Sequence, residues 1–278
     1  MKKRKSSVPV FLLSLLTLAA AQLMFGRRDA PRALADPAGE QTVFSTQVTA
    51  EMDCGGTDGE RMIRAYAKSR GLSLDAWPQS LIDLLDRNPE TADFVLGYPE
   101  LHDKIQTVDM SEYENCDSVP LFLQWDTRWG YISYGSDVAG ITGCGPVCLS
   151  MAAYYLTRDP SMSPDNIIRF ALREGYYVPG NGSSWTLISE GGEKLGLDVT
   201  EIPLDENRIL ANLRVGNPII CVMGPGDFTT SGHYIVLVGI EDGKLRVNDP
   251  NSRINSGKLW DYSQIQDQIR DLWVIRRG

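Results

Sequence analysis

Residues 143–152 read GCGPVCLSMA, a cysteine between two glycines, then proline, then an apolar run with helical character. Gly143 and Gly145 permit either positive φ or a close backbone approach on both sides of Cys144. Pro146 suits a first helical turn, where its missing N–H costs nothing. Cys144 therefore sits at or just before a helix N-terminus, where unpaired N–H groups and the positive dipole end stabilise an anion. A thiol in that setting ionises readily and becomes a nucleophile. The same N–H groups can hold a developing oxyanion. The rival reading is a buried cysteine that fills space, common for free Cys.

A thiolate nucleophile needs a base, and the chain has two histidines, His102 and His233. His102, in YPELHDKIQ, lies among charged residues. His233 opens the strand-like HYIVLVGI, which leads through EDG into KLRVNDP. Read as a three-residue hairpin loop, Glu241-Asp242-Gly243 pairs Ile240 with Lys244 and puts Asp249 opposite Ile235. His233 and Asp249 then share a face as diagonal neighbours, about 7–8 Å apart at Cα and within reach of a carboxylate–imidazole bond. Asn248 points the other way. A carboxylate on one imidazole nitrogen fixes the tautomer and leaves the other for a thiol. A satisfied core histidine is the alternative.

Four segments together, LQWDTRWGYISYG, GCGPVCLSMA, GHYIVLVGI and VNDP, resemble the papain-like cysteine peptidases related to bacteriocin-processing, double-glycine leader peptidases. The resemblance spans roughly residues 119–278. It implies an α+β, papain-like fold with Cys144 as nucleophile, His233 as general base and Asp249 orienting it. By position, Gln124 matches the glutamine that donates to the oxyanion beside the Cys144 N–H. The chain has no G-x-x-x-x-G-K-[ST] phosphate loop, so the ATPase that accompanies transporter-linked relatives is not encoded in it.

The rest of the chain sets the surroundings. Lys2–Lys5 supply a positive flank, and Val8–Phe25 is an uncharged, mostly apolar run with small residues at Ala19–Ala21. Residues 1–28 read as a secretory signal or as an uncleaved anchor, since 18 residues approach the roughly 20 needed to span a bilayer. Either way, the bulk of the chain is expected outside the cytoplasm, extracellular or at the cell surface. Residues 29–59, rich in Ala, Pro, Gly, Asp and Thr, read as a flexible linker. Residues 60–116 read as a small helical module with an apolar stripe of Leu81, Leu84 and Leu85, its two later helices split at Asn88-Pro89. Residues 117–278 carry helices first and strands second, the order of an α+β domain. The strands are expected in NPIICVMG, HYIVLVGI, KLRVND and LWVIRR.

The net charge is −9, with no basic stripe, which excludes nucleic acid as a partner class. No Cys/His spacing fits zinc, so no metal or cofactor is expected. Cys148, one helical turn past Cys144, and Cys221, in an apolar strand, are expected to be inward and inert. Cys54 and Cys116 flank the helical module, and in an oxidising exterior they are candidates for a bridge. Trp185, in NGSSW, either lines a cleft or is plain packing. The reading that follows is an exported thiol peptidase acting on peptides or proteins through an acyl-enzyme on Cys144. A peptidoglycan hydrolase or acyl transferase with a Cys-His-Asp set is one alternative, and an inactive peptide-binding domain another.

Overall fold

The helical module starts at α1 (Asp58–Arg70), two residues earlier than the sequence suggests, because Thr57 caps it with Oγ1 accepting the Glu60 N–H. Left-handed Gly71, at φ 67°, ends the helix and donates to the Ala67 carbonyl. α2 (Gln79–Arg87) stops at Asn88, and α3 (Ala92–Leu101) follows one turn beyond Pro89. The computed structural model that shows this describes residues 56–104 and 107–278. The stripe of Leu81, Leu84 and Leu85 buries itself with Ile63, Phe94 and Val95 against Leu123, Trp125 and Tyr131. The Tyr131 ring stacks on Phe94 at 4.5 Å, and its hydroxyl donates to the Phe94 carbonyl. One apolar core thus runs across residue 116, and the helices belong to the same compact unit as the sheet.

After a small hairpin of β1 (Ser133–Tyr134) and β2 (Asp137–Val138), the turn of helix α4 (Ala139–Thr142) delivers the chain to α5 (Cys144–Thr157). Every residue of α5 from Gly145 to Tyr154 is buried. A helix apolar all round belongs in the middle of a fold, and α5 is packed between the sheet and α6 (Pro164–Arg173). A second small hairpin, β3 (Tyr177–Val178) and β4 (Gly182–Ser183), comes next. After it follow α7 (Gly192–Lys194), β5 (Leu197–Glu201), α8 (Glu206–Arg214), β6 (Ile219–Met223), β7 (His233–Glu241) and β8 (Lys244–Asn248). The chain closes with α9 (Arg253–Ser256), β9 (Leu259–Trp260), α10 (Tyr262–Ile265) and β10 (Ile269–Arg277).

Six strands form one antiparallel sheet in the order β5-β10-β6-β7-β8-β9. Ile220, Val222, Tyr234, Val236, Trp273 and Ile275 join the core around α5. Ile219, Cys221, Ile235, Leu237, Leu272 and Val274 pack on the opposite side with Ile209 and Leu213 of α8. Burial on both faces explains why the central strands read as unbroken apolar runs rather than alternating ones. The four expected strands are all present. β5 and β9 are additional, one largely exposed at the sheet edge and the other two residues long.

The hairpin between β7 and β8 differs from its sequence reading. Glu241 pairs with Lys244, so the loop is the two residues Asp242 and Gly243, with φ of 50° and 77°. Positive φ at both central positions is the Asp-Gly form of a tight hairpin turn. An irregularity between Leu237 and Gly239 then shifts the pairing by one, so that Leu237 faces Val247 and Val236 faces Asn248. Continued one step, that register places Asp249 opposite Ile235. The longer loop required the same pairing, and a bulge reaches it instead.

Candidate active site

Cys144 is the first residue of α5 and is half-buried. Gly143 has φ −91°, so positive φ is not why glycine stands there. Space is the reason. A Cβ at Gly143 would stand 2.6 Å from the Ala139 carbonyl oxygen, and one at Gly145 would stand 2.7 Å from Ser183 Oγ. Ser183 is itself fixed on two sides: its hydroxyl bonds Tyr134 at 2.7 Å, and its carbonyl accepts from the Tyr234 hydroxyl at 3.2 Å. The first turn of α5 and the 182–185 segment are therefore locked against each other. Gly145→Ala is expected to lower stability by about 1–3 kcal/mol through overpacking and to displace Ser183 from the cleft wall. Thermal denaturation and the crystal structure of the variant check both.

His233 opens β7, and its Nε2 lies 2.7 Å from Asp249 Oδ1. The pair is shielded, with His233 8% and Asp249 1% exposed. Because Nε2 faces the carboxylate, Nδ1 is the ring nitrogen left for the thiol, and Cys144 contributes to the ionisation of His233 by hydrogen bond and by charge. Burial alone opposes the imidazolium, but the Asp249 carboxylate outweighs it with help from Cys144, and the His233 pKa is pushed up to about 10. The carboxylate thus favours the protonated ring, the partner a thiolate requires. For folding, a raised pKa means the pair's stabilisation is complete below the ordinary histidine value and is lost as pH climbs through about 10.

Asp249 is held on every side. Oδ1 also accepts the Asn251 N–H at 2.8 Å, Oδ2 accepts Asn255 Nδ2 at 3.0 Å, and its own N–H donates to Ser256 Oγ at 2.9 Å. The loop that supplies these donors is gripped by the helical module. Asn88 Nδ2 donates to the Asn251 carbonyl at 2.7 Å, where Trp125 Nε1 also donates at 3.1 Å. Glu90 accepts from the Ser252 hydroxyl at 2.6 Å and from the Arg253 N–H at 2.8 Å. The turn between α2 and α3 therefore fixes the segment that fixes Asp249. Asn88→Ala with Glu90→Gln is expected to reduce kcat by about 10-fold, by analogy with the lower end of what outer hydrogen-bonding partners are worth at metal sites. KM should change little. A purely structural role would lower the melting temperature and leave kcat per folded molecule unchanged.

Gln124 is buried, and its Nε2 donates to the Gly140 and Ile141 carbonyls at 3.0 and 3.2 Å, while Oε1 has no partner among the described residues. The amide thus ties the chain entering the domain to α4, directly ahead of Cys144. Asn248 points away from His233, as its register dictates, but it is not idle. Its Nδ2 donates to the Val119 and Pro120 carbonyls, each at 3.1 Å, and so anchors the extended segment that leads to Gln124. That segment, expected to be extended, joins no sheet through its backbone among the described residues; the Gln124 N–H donates instead to the Pro250 carbonyl at 2.8 Å. Asn248→Ala is expected to cost about 1–3 kcal/mol by leaving buried carbonyls unpaired, with kcat nearly unchanged; chemical denaturation alongside steady-state kinetics checks this.

Cys148 and Cys221 are fully buried, and burial pushes both thiols well above the ordinary range. His102 stays in the helical module, stacked on Tyr98 with Nδ1 against the Tyr98 carbonyl. Trp185 lines the cleft that holds Cys144 and His233, a space of about 350 Å³. No cluster among the described residues can hold a metal ion. Cys116 is half-buried beneath Arg158, whose guanidinium donates to its sulfur. Its suggested partner Cys54 lies outside the described residues. So does the apolar run at 8–25; among the described residues no helix is long and apolar enough to cross a membrane.

Residues 116–277 match the model of the Peptidase_C39 like family. The chain belongs to this family. Its fold is the papain-like α+β fold, with the cysteine on a helix, the histidine on an antiparallel sheet and the aspartate directly after strand β8 of that sheet. Among solved structures it is similar to the peptidase domain of Streptococcus ComA, a bifunctional ABC transporter involved in a quorum-sensing pathway, at 21% identity. That likeness covers 58% of this chain and 99% of the other, with a TM-score of 0.39. A putative C39-like peptidase from Bacillus anthracis is similar at 16% identity over 59% of this chain and 96% of the other, with a TM-score of 0.34. No curated protein matches the chain. Membership of the C39-like family supports a function of the cysteine-peptidase type.

Proposed function

We propose that this C39-like protein is an exported thiol peptidase that cleaves peptide bonds through an acyl-enzyme on Cys144. The observation that supports it is the convergence, in one cleft, of a helix-terminal thiol, a shielded imidazole and a carboxylate 2.7 Å behind that imidazole. The Cys144 sulfur attacks the scissile carbonyl carbon, and the carbonyl π electrons move to oxygen. The Cys144 N–H, at the helix start, donates to that oxyanion. As the tetrahedral intermediate collapses, the C–N bond breaks and His233 passes its proton to the leaving amine. His233, now neutral, takes a proton from water, which attacks the thioester and releases the acid with Cys144 restored. Asp249 orients the ring and stabilises its protonated form throughout.

In this reading Gln124 holds α4 and the backbone ahead of Cys144 in place. A direct bond from Gln124 to the oxyanion requires one amide hydrogen to leave the α4 carbonyls. Gln124→Glu keeps the volume but removes both amide donors, so turnover should fall.

Residues 1–28 serve, on this proposal, to send the domain across the membrane, with the apolar run at 8–25 retained as an anchor or cleaved near Ala21. A reporter fused after Gly278 should be active only as an exterior-facing type, and mass spectrometry of the mature N-terminus decides between cleavage and anchoring. Profiling the wild type and Cys144→Ala against peptides and cell-wall fragments tests the chemistry. Cys144-dependent cleavage of peptides supports the proposal. Cleavage of cell-wall fragments alone assigns the triad to peptidoglycan hydrolysis, and binding without turnover in both proteins assigns a peptide-binding role.

A further inference from the structure

The cleft beside Cys144 has a wall that the hydrolysis of a peptide bond does not use. Arg270, at the start of β10, lines it together with Trp185, Ser184 and Gly224. Its guanidinium lies against the backbone at the end of β6: a Cβ on Gly224 would stand 2.4 Å from Arg270 Nε. Glycine at 224 is therefore what lets the guanidinium lie against the backbone there, next to the end of the sheet where β7 begins at His233.

Most of that guanidinium is uncommitted. Nη1 donates to the Asp267 carbonyl at 2.8 Å, and among the described residues Arg270 makes no ion pair. Neither Asp227 nor Asp271 bonds it, and of Asp267 it takes only the backbone carbonyl. Asp227 accepts from Gln268 Nε2 at 2.6 Å, and Asp271 accepts the Leu272 N–H at 2.8 Å. Among the described residues no aspartate or glutamate lines the cleft, although the chain as a whole carries a net charge of −9. Trp185 supplies an apolar surface in the same cleft, 47% exposed and braced edge-on by Trp273 at 6.3 Å. A cationic fork and an aromatic surface lining one cleft, with no acid among its described lining residues, are complementary to a carboxylate on an otherwise apolar or uncharged chain.

We propose that Arg270 forms a carboxylate subsite, so that the peptide taken by this cleft carries an acidic group within reach of β10 while its scissile bond lies at Cys144. The inference rests on the peptidase reading for the word substrate, but the subsite itself is a matter of binding. The carboxylate comes either from an aspartate or glutamate side chain or from a free chain terminus, and the two sources are separable.

The test uses Cys144→Ala, which holds a peptide without turning it over, and fluorescently labelled decapeptides read by anisotropy. One arm compares glutamate with glutamine scanned through an amidated peptide; the other compares a free with an amidated C-terminus on an uncharged one. At least one acidic peptide should bind 10-fold or more tightly than its neutral counterpart, and adding Arg270→Gln should erase the difference. Arg270→Lys should retain part of it, which separates lost charge from a misfolded wall, and Arg270→Glu should turn the preference towards lysine. Preference only for the free terminus assigns the subsite to chain ends; preference only for glutamate assigns it to side chains. Equal binding in every pair, no binding at all, or a preference that survives Arg270→Gln overturns the proposal. If the acidic preference is present and depends on Arg270 while the wild type cleaves none of the same peptides, the subsite stands and the peptidase reading falls.

Discussion

Iodoacetamide at pH 6 should alkylate Cys144 ahead of Cys148 and Cys221 by at least 10-fold, and His233→Ala should remove most of that advantage. The expectation follows from three differences between the sulfurs. Cys144 is half-buried at a cleft, whereas the other two are fully buried and burial pushes their thiols up. Cys144 alone stands at the first turn of a helix, where the dipole favours an anion. It alone has His233 beside it, held in its protonated form by Asp249 up to a pH of about 10. In His233→Ala the thiolate loses its counter-charge, so the alkylation rate at pH 6 drops and recovers only as the pH is raised. Turnover falls further than alkylation does, because the base that protonates the leaving amine is gone; general acid–base catalysis is worth roughly 100- to 10,000-fold. Equal labelling of the three thiols at pH 6, or labelling of Cys144 indifferent to His233, removes the ion pair from the mechanism and the nucleophile with it. The measurement is mass-spectrometric quantification of each alkylated cysteine against time across a pH series, and it needs no knowledge of the substrate.

What could be read from the residues, and what could not, divides along sequence distance. The helix behind Cys144, the central strands and the shared face of His233 and Asp249 all depend on local periodicity and a nearby turn. Even there the route differed. Asp242-Gly243 is itself a two-residue turn signal, and the bulge at 237–239 that restores the register leaves no mark in the pattern HYIVLVGI. The glycines at 143 and 145 left positive φ and close approach both open, and only the neighbour across the fold, Ser183, decides for the latter at Gly145. The grip of Asn88 and Glu90 on residues 251–253 spans more than 160 positions. Asn88 also ends α2 and caps the turn at Pro89, so its local job hides its distant one. β5 is not legible in the sequence because LDVTE exposes most of its side chains and carries no apolar run. In each of the long-range cases the partner, not the residue, holds the information.

On the proposed mechanism Asp249→Ala separates the carboxylate's two duties, and its expected effect is large although both Cys144 and His233 stay in place. The variant loses the acceptor at 2.7 Å from His233 Nε2 and leaves the Asn251 N–H and the Asn255 amide without their partner. With the carboxylate gone, what remains on His233 is burial, which disfavours the imidazolium, and its contact with Cys144. The pH at which His233 deprotonates should therefore move down, and the upper limb of the pH–kcat/KM profile should move down with it. On the stability side, the gain that the wild-type pair provides below neutral pH and surrenders through about pH 10 should be absent. Turnover should fall on the order of 10²–10⁴-fold, as when a triad loses the group that sets the tautomer and ring orientation. Asp249→Asn should be milder than Asp249→Ala. Its amide oxygen can accept from His233 and Asn251, and Asn255 need only rotate its own amide to face the new Nδ2 donor. Asn248→Ala is the control one residue away: it loosens the segment at Val119 and Pro120 and lowers stability, but leaves the pH profile where it was. A profile displaced by Asn248→Ala and untouched by Asp249→Ala would mean that the orienting residue is the asparagine, that the register at the end of β8 is wrong by one, and that the bond between His233 and Asp249 carries no chemistry.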